Sequence, residues 1–211
     1  MIQMSTRCVA VALCAAICLV ALAAAPASAL FTCDFETGLG QNGQPIGGPL
    51  DGLIFSTSLG GDVYFADINS GWYSVTSDNG KVFEDGEYYV RGNVAAYVMN
   101  LEDTARATFA PGLAIYFQLG YSSQFEFFLK AYDSSGGLLA STTGAANSKS
   151  NGGTGLSYLS IEQDGMAYVE FGSEGAGGYW MVDDIAWVPE PTAWIALAVG
   201  LVGLVGWRKR K

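Results

Sequence analysis

The sequence predicts an all-β protein, a two-sheet antiparallel sandwich carried between an apolar segment at each end. Three observations predict it. The chain has 28 glycines against 6 prolines, and short strand-like runs recur between turn signals across residues 31–187. No stretch of that region sustains a 3.6-residue apolar period. The longest apolar runs lie at the two termini, where they read as targeting segments rather than as parts of the fold.

The N-terminal segment opens with Arg7 as its only charge before Asp34, runs apolar from Cys8 to Ala25, and closes on Pro26-Ala27-Ser28-Ala29. A small-x-small ending fits the narrow pocket of a signal peptidase, so cleavage is expected between Ala29 and Leu30, with a permanent N-terminal membrane helix as the alternative. Three of the four cysteines, Cys8, Cys14 and Cys18, leave with that segment. Cys33 alone remains, which rules out an intrachain disulfide in the mature domain. It reads as a small buried hydrophobe beside the first strand, with an intermolecular disulfide as the alternative. Ile17 and Thr32 precede Cys18 and Cys33, and neither is the small residue that lipidation of a cysteine requires.

Residues 30–187 form the expected domain. Candidate strands are 31–36, 53–58, 63–68, 72–76, 88–99, 105–109, 113–119, 124–132, 138–142, 156–162, 166–171 and 179–187. The clearest alternation sets Phe125, Phe127, Leu129 and Ala131 against Glu126, Lys130 and Tyr132. Asp133-Ser134-Ser135-Gly136-Gly137 supplies a turn into Leu138, and Asp164-Gly165 reads as a tight hairpin between 159–163 and 167–171. Segment 143–155 is a polar loop expected to be mobile and to project from an edge of the strands.

Charge narrows the function. All twenty acidic residues lie between Asp34 and Glu190, with only Lys81, Arg91, Arg106, Lys130 and Lys149 against them. Such a surface repels phosphate backbones and excludes nucleic acid as a partner, leaving divalent cations or neutral polymers. The chain has no histidine. That removes the usual general base, the usual zinc ligand and every His-dependent triad. Paired carboxylates, Glu84/Asp85 or Glu102/Asp103, could serve a glycosidase. Adjacent acids in one segment read better as solvated turns, so the expectation is a non-enzyme, with a glycan-active hydrolase on a lectin-type sandwich as the alternative.

The C-terminus reads Val188-Pro189-Glu190-Pro191, then 16 uncharged residues from Thr192 to Trp207, then Arg208-Lys209-Arg210-Lys211. At 1.5 Å per residue the apolar stretch spans about 24 Å, a little short of the ~30 Å of a hydrocarbon core. Trp194 and Trp207 bracket it as interfacial aromatics, and the four basic residues hold the end on the cytoplasmic side. Prolines on both sides block helix continuation and are expected to hold Glu190 extended and accessible. These residues resemble the PEP-CTERM sorting signal of Gram-negative bacteria: Pro189, Glu190 and Pro191, the transmembrane helix 192–207 and the basic cluster 208–211. The resemblance implies a membrane-anchored precursor recognised and cleaved by an exosortase, then released or passed to the cell surface and exopolysaccharide matrix; a plain C-terminal anchor is the alternative.

Within the domain, the opening Cys33-Asp34-Phe35-Glu36, the hairpin Ala131-Tyr132-Asp133 to Gly137, and the closing Asp183-Asp184-Ile185 resemble galactose-binding-like jelly rolls, including MAM-type domains. That resemblance implies first and last strands lying side by side, with a structural Ca²⁺ near their junction. Glu36 and Asp183 or Asp184 would be its ligands, since Ca²⁺ takes six to eight hard oxygens. In a regular strand Asp183 and Asp184 point to opposite faces, so at most one is buried. The other reading is a pair of edge carboxylates accepting backbone hydrogen bonds. Aromatics at 72–73, 88–89, 97, 121 and 179–180, with Asp67, Asn69, Asp78 and Asn79 nearby, suit polysaccharide binding, because sugars stack on aromatic faces. Core filling is the competing role for each of them.

Overall fold

The computed structural model describes residues 29–36, 42–67, 75–77, 87–98, 104–110, 112–174 and 179–191. The predicted helix 192–207, the basic cluster, Trp72-Tyr73 and the acidic pairs at 84–85 and 102–103 lie outside them. Leu30–Glu190 forms one compact unit, which starts at the predicted cleavage point and runs three residues past 187.

Among the described residues fourteen strands build it: β1 (Phe31–Cys33), β2 (Pro49–Leu50), β3 (Leu53–Thr57), β4 (Tyr64–Asp67), β5 (Val75–Ser77), β6 (Tyr88–Val90), β7 (Val94–Tyr97), β8 (Ala105–Phe109), β9 (Ala114–Ser123), β10 (Phe127–Tyr132), β11 (Leu138–Gly144), β12 (Ser157–Met166), β13 (Tyr168–Ser173) and β14 (Trp180–Pro189). The first sheet has the order β12-β9-β14-β7-β4, with β1 also on β14; the second is β11-β10-β13-β8-β3-β2. Pairing in both sheets is antiparallel, and β5 and β6 form a separate parallel pair. The first and last strands do lie side by side, Phe31 opposite Trp187 and Cys33 opposite Ile185.

Alternation explains the core. Phe117, Leu119 and Tyr121 of β9 face Phe127, Leu129 and Ala131 of β10, while Gln118, Lys130 and Tyr132 stay outside. Two aromatic groups fill the ends of the sandwich. At one, Phe31 stacks on Trp187 (4.8 Å between centroids) and Phe109 bridges Trp187 to Phe117 (5.2 and 5.9 Å). At the other, Tyr121 stacks on Phe127 (4.6 Å), and Trp180 packs edge-on against Phe127 and Phe171. Small residues buried in the same core, Ala105, Ala107, Ala114 and Ala131, leave volume for these rings. Each fully buried ring contributes roughly 1.5–3 kcal/mol.

Four expectations change. Residues 88–99 are two strands, because Arg91-Gly92-Asn93 turns between β6 and β7, with Gly92 at φ +73°. The 164–165 hairpin is absent: β12 pairs with β9 in the first sheet, and β13 pairs with β10 and β8 in the second. Gly165, at φ +80°, serves a register shift between Glu162 and Met166 instead. Phe125 precedes its strand and is exposed. The polar loop after Gly144 is tied down rather than projecting. Buried Asn147 accepts the Ser123 N–H (2.8 Å) and donates to the Tyr121 carbonyl (2.8 Å), and the Tyr89 hydroxyl donates to Gly153 O (2.6 Å).

Strands β5 and β6 belong to neither sheet, but Tyr88 and Val90 pack with Ala66, Ala95 and Met181 on the outer side of the first sheet. This brings the 91–93 turn against the middle of β14.

Candidate functional site

The predicted acidic residues converge on the 91–93 turn. Phe35 takes a left-handed backbone (φ +58°) while its ring is buried against Phe55 and Phe65 (5.7 and 6.4 Å). The strained backbone releases Glu36 from the strand path and sends its carboxylate under the turn. Glu36 Oε1 accepts the N–H groups of Asn93 and Val94 (2.8 Å for Val94), and Oε2 accepts from Asn93 Nδ2 (3.3 Å). A side chain at Gly92 would overlap Oε1, so only glycine fits there.

Asp183 and Asp184 also reach the turn, and the strand alternation that would separate them is broken. Asp184 has φ +51° and sits in a register shift of β14 against β9 between Asp183 and Ala186. Asp183 is fully buried; its Oδ2 accepts the Arg91 N–H (2.8 Å) and its Oδ1 the Asp184 N–H (2.7 Å). Burial raises its carboxyl to about 8, against the pull of those two donors, and the charges of Asp184 and Glu36 push the same way as burial. Asp184 Oδ2 accepts from both Arg91 Nη1 (2.8 Å) and the Tyr158 hydroxyl (2.8 Å). The Tyr158 hydroxyl is raised to about 12, first by burial and then by its bond to Asp184, so it stays a neutral donor.

These carboxylates do not fit the calcium site implied by the resemblance. Glu36 Oε1 accepts two backbone N–H groups and each Asp183 oxygen accepts one, where a cation would need these oxygens turned toward itself. Among the described residues, no group of three or more His, Cys, Asp or Glu side chains could hold a metal ion. The arrangement is a turn capped by carboxylates.

The aromatics divide sharply. Tyr88, Tyr121 and Trp180 are buried, Tyr97 packs on Tyr64 (5.9 Å), Tyr89 is engaged by the loop, and Tyr179 is exposed. On the outer face of the second sheet Tyr132 and Tyr168 stack on each other (5.0 Å, 10°), with Arg106 over Tyr168 and Lys130 over Phe128 at 4.3 Å each. Arg106 also pairs with Glu170 (2.6 Å). Those rings are therefore committed to one another and to cations. The sequence reading passed over Tyr158, although its place beside core residues Leu159 and Ile161 puts it on the polar face of β12.

The sorting residues begin inside the sandwich. Pro189 is the buried last residue of β14, opposite Ala114, and the Glu190 N–H donates to Leu113 O (2.8 Å). Glu190 is thus hydrogen-bonded to the domain rather than standing free beyond it. Among the described residues no helix is long and apolar enough to cross a membrane.

The fold and its tail define a class: a two-sheet β-sandwich bearing an export and sorting signal. Residues 188–211 match the family described as the PEP-CTERM protein-sorting motif. No curated protein sequence matches the chain. Among solved structures, the chain is similar to a DUF4465 family protein from Bacteroides caccae (12% identity, 77% of this chain and 100% of that one, TM-score 0.40). It is also similar to a cleaved adhesin domain of Lys-gingipain from Porphyromonas gingivalis (15%, 76% and 98%, TM-score 0.36). A third is the CBM22-1 xylan-binding domain of Paenibacillus barcinonensis Xyn10C (12%, 78% and 97%, TM-score 0.35). The sorting motif implies an exported protein made as a membrane-anchored precursor.

Proposed function

We propose that the protein is an exosortase substrate whose mature sandwich works at the cell surface or in an exopolysaccharide matrix as a non-catalytic, polysaccharide-binding module. The sorting motif at 188–211 carries the export half of this reading. The binding half rests on exposed aromatic side chains held on a rigid acidic sandwich, a surface suited to neutral polymers. Rings of this kind take sugars without any reacting group beside them.

Two experiments test the halves separately. Glu190→Ala should leave full-length precursor in the membrane fraction, where the wild-type chain is trimmed; equal trimming of both would remove the exosortase step. Pull-down of the mature protein on the host's own exopolysaccharide should show saturable binding. Its absence would leave a structural role in place of binding, and release of reducing sugar would restore the hydrolase.

A further inference from the structure

We propose that Tyr158 is a preformed stacking platform for a pyranose ring of a neutral polysaccharide, a site that rests on the polysaccharide-binding reading above.

The platform is built by register. Tyr158 on the edge strand β12 lies opposite Gly120 of β9, which lies opposite Asp183 of β14. Because Gly120 has no side chain, the tyrosine ring lies down across the sheet: its Cε1 is 3.2 Å from where a Cβ on Gly120 would stand. The hydroxyl then reaches β14 and donates to Asp184 Oδ2 (2.8 Å), which Arg91 Nη1 holds from the other side (2.8 Å). The ring is fixed by its Cβ on β12 and by its hydroxyl over β14. Its rotamer freedom is spent on folding rather than on binding. Tyr158 nonetheless stays 44% exposed, with its Cε1 over Gly120 beside Leu156 Cδ1.

The aromatics on the outer face of the second sheet lack this combination. Tyr132 and Tyr168 cover each other's faces, Arg106 lies over Tyr168, and Lys130 lies over Phe128. Tyr158 is exposed beside groups that suit sugar hydroxyls: the Asp184 carboxylate, the Arg91 guanidinium with its side chain 57% exposed, and Ser160 paired with Gln118 in the next row. The C–H face of a pyranose is electropositive at its edge and fits the negative face of the ring. With Asp184 bonded to its hydroxyl and a strongly acidic domain around it, an anionic polymer is repelled, so the ligand is a neutral glycan.

A role confined to shielding Gly120 would make Tyr158 matter for stability alone, and affinity electrophoresis of the mature protein separates the two. Native gels would contain xylan, galactomannan, hydroxyethyl cellulose, dextran, the host's exopolysaccharide or alginate. The wild type should be retarded by at least one neutral polymer, and Tyr158→Ala should weaken that retardation about tenfold, while Tyr158→Phe keeps most of it. Ser160→Arg is the second variant: Ser160 is exposed, so the change should fold normally, and a long side chain two residues along the same face would cover the ring. Retardation lost in folded Tyr158→Ala or in Ser160→Arg but kept in Tyr132→Ala supports the platform. Retardation unchanged in Ser160→Arg and in folded Tyr158→Ala overturns the platform and leaves polysaccharide binding standing. Retardation by alginate alone overturns the neutral class, and none by any polymer overturns the binding reading and the platform with it.

Discussion

Replacing Gly92 with alanine probes the capped turn most directly. Gly92 sits at φ +73°, where an alanine costs about 1 kcal/mol of backbone strain. Its Cβ would overlap Glu36 Oε1 and lie 3.0 Å from Glu36 Cδ. The carboxylate can withdraw only by releasing the Asn93 and Val94 N–H groups, and bonds to a charged acceptor are worth roughly 1.5–3 kcal/mol each. The expected loss is about 4 kcal/mol, a large part of the ~5–15 kcal/mol that stabilises a typical domain. In a Glu36→Ala background the obstruction is gone, and the same Gly92→Ala change should cost only about 1 kcal/mol. The coupling between the two sites is therefore expected near 3 kcal/mol. Urea titrations of the four mature proteins, followed by fluorescence of buried Trp180 and Trp187, measure it. Equal costs of Gly92→Ala in both backgrounds would refute the claim that Glu36 holds this turn.

Three further outcomes follow from the same region. Asp183 is raised from 3.8 to about 8, so between those pH values the folded domain keeps a proton that the unfolded chain has released. Stability from this group is complete below about pH 4 and is lost as pH rises toward 8, with a slope of at most ~1.4 kcal/mol per pH unit. Asp183→Asn should cost stability by setting an NH₂ against an N–H donor, yet flatten the pH 5–8 profile in urea titrations; an unchanged slope would assign the titration elsewhere. Millimolar Ca²⁺ followed by chelator should leave the melting temperature unmoved, because the carboxylates are held by N–H groups. A reversible rise would show them turning to a cation. Cys33 is fully buried with its thiol pushed far up by burial, so thiol reagents should leave it unmodified until the protein is unfolded. Fast native labelling would contradict that burial, which also keeps Cys33 from an intermolecular disulfide.

Strand content was legible where alternation was clean: 105–109 matches β8, and the Asp133 turn forms as read, its Oδ1 accepting Ser135 and Gly137 N–H at 2.8 Å each. Misreadings cluster where glycine or a left-handed residue redirects the chain. Gly92 split a run that looked continuous, and Gly165 shifted a register where a hairpin was expected. At Asp184 a positive φ defeated the two-residue period and brought both aspartates to Arg91. Composition alone could not show that Asn147 would be buried by taking both backbone partners of Tyr121 and Ser123. Tyr158 was within reach, as a tyrosine on the polar face of an alternating strand, but its importance depends on Gly120, which becomes its neighbour only through pairing.

Glu190 donates its N–H to Leu113, and Pro189 is the last rung of the strand at the centre of the first sheet. The sorting motif and the sheet therefore share one short piece of backbone. A cut ahead of Pro189 would shorten the strand that β1, β7 and β9 all lean on, whereas a cut beyond Glu190 trims the leash and spares the sandwich. The mass of the released protein should place its new end after Glu190.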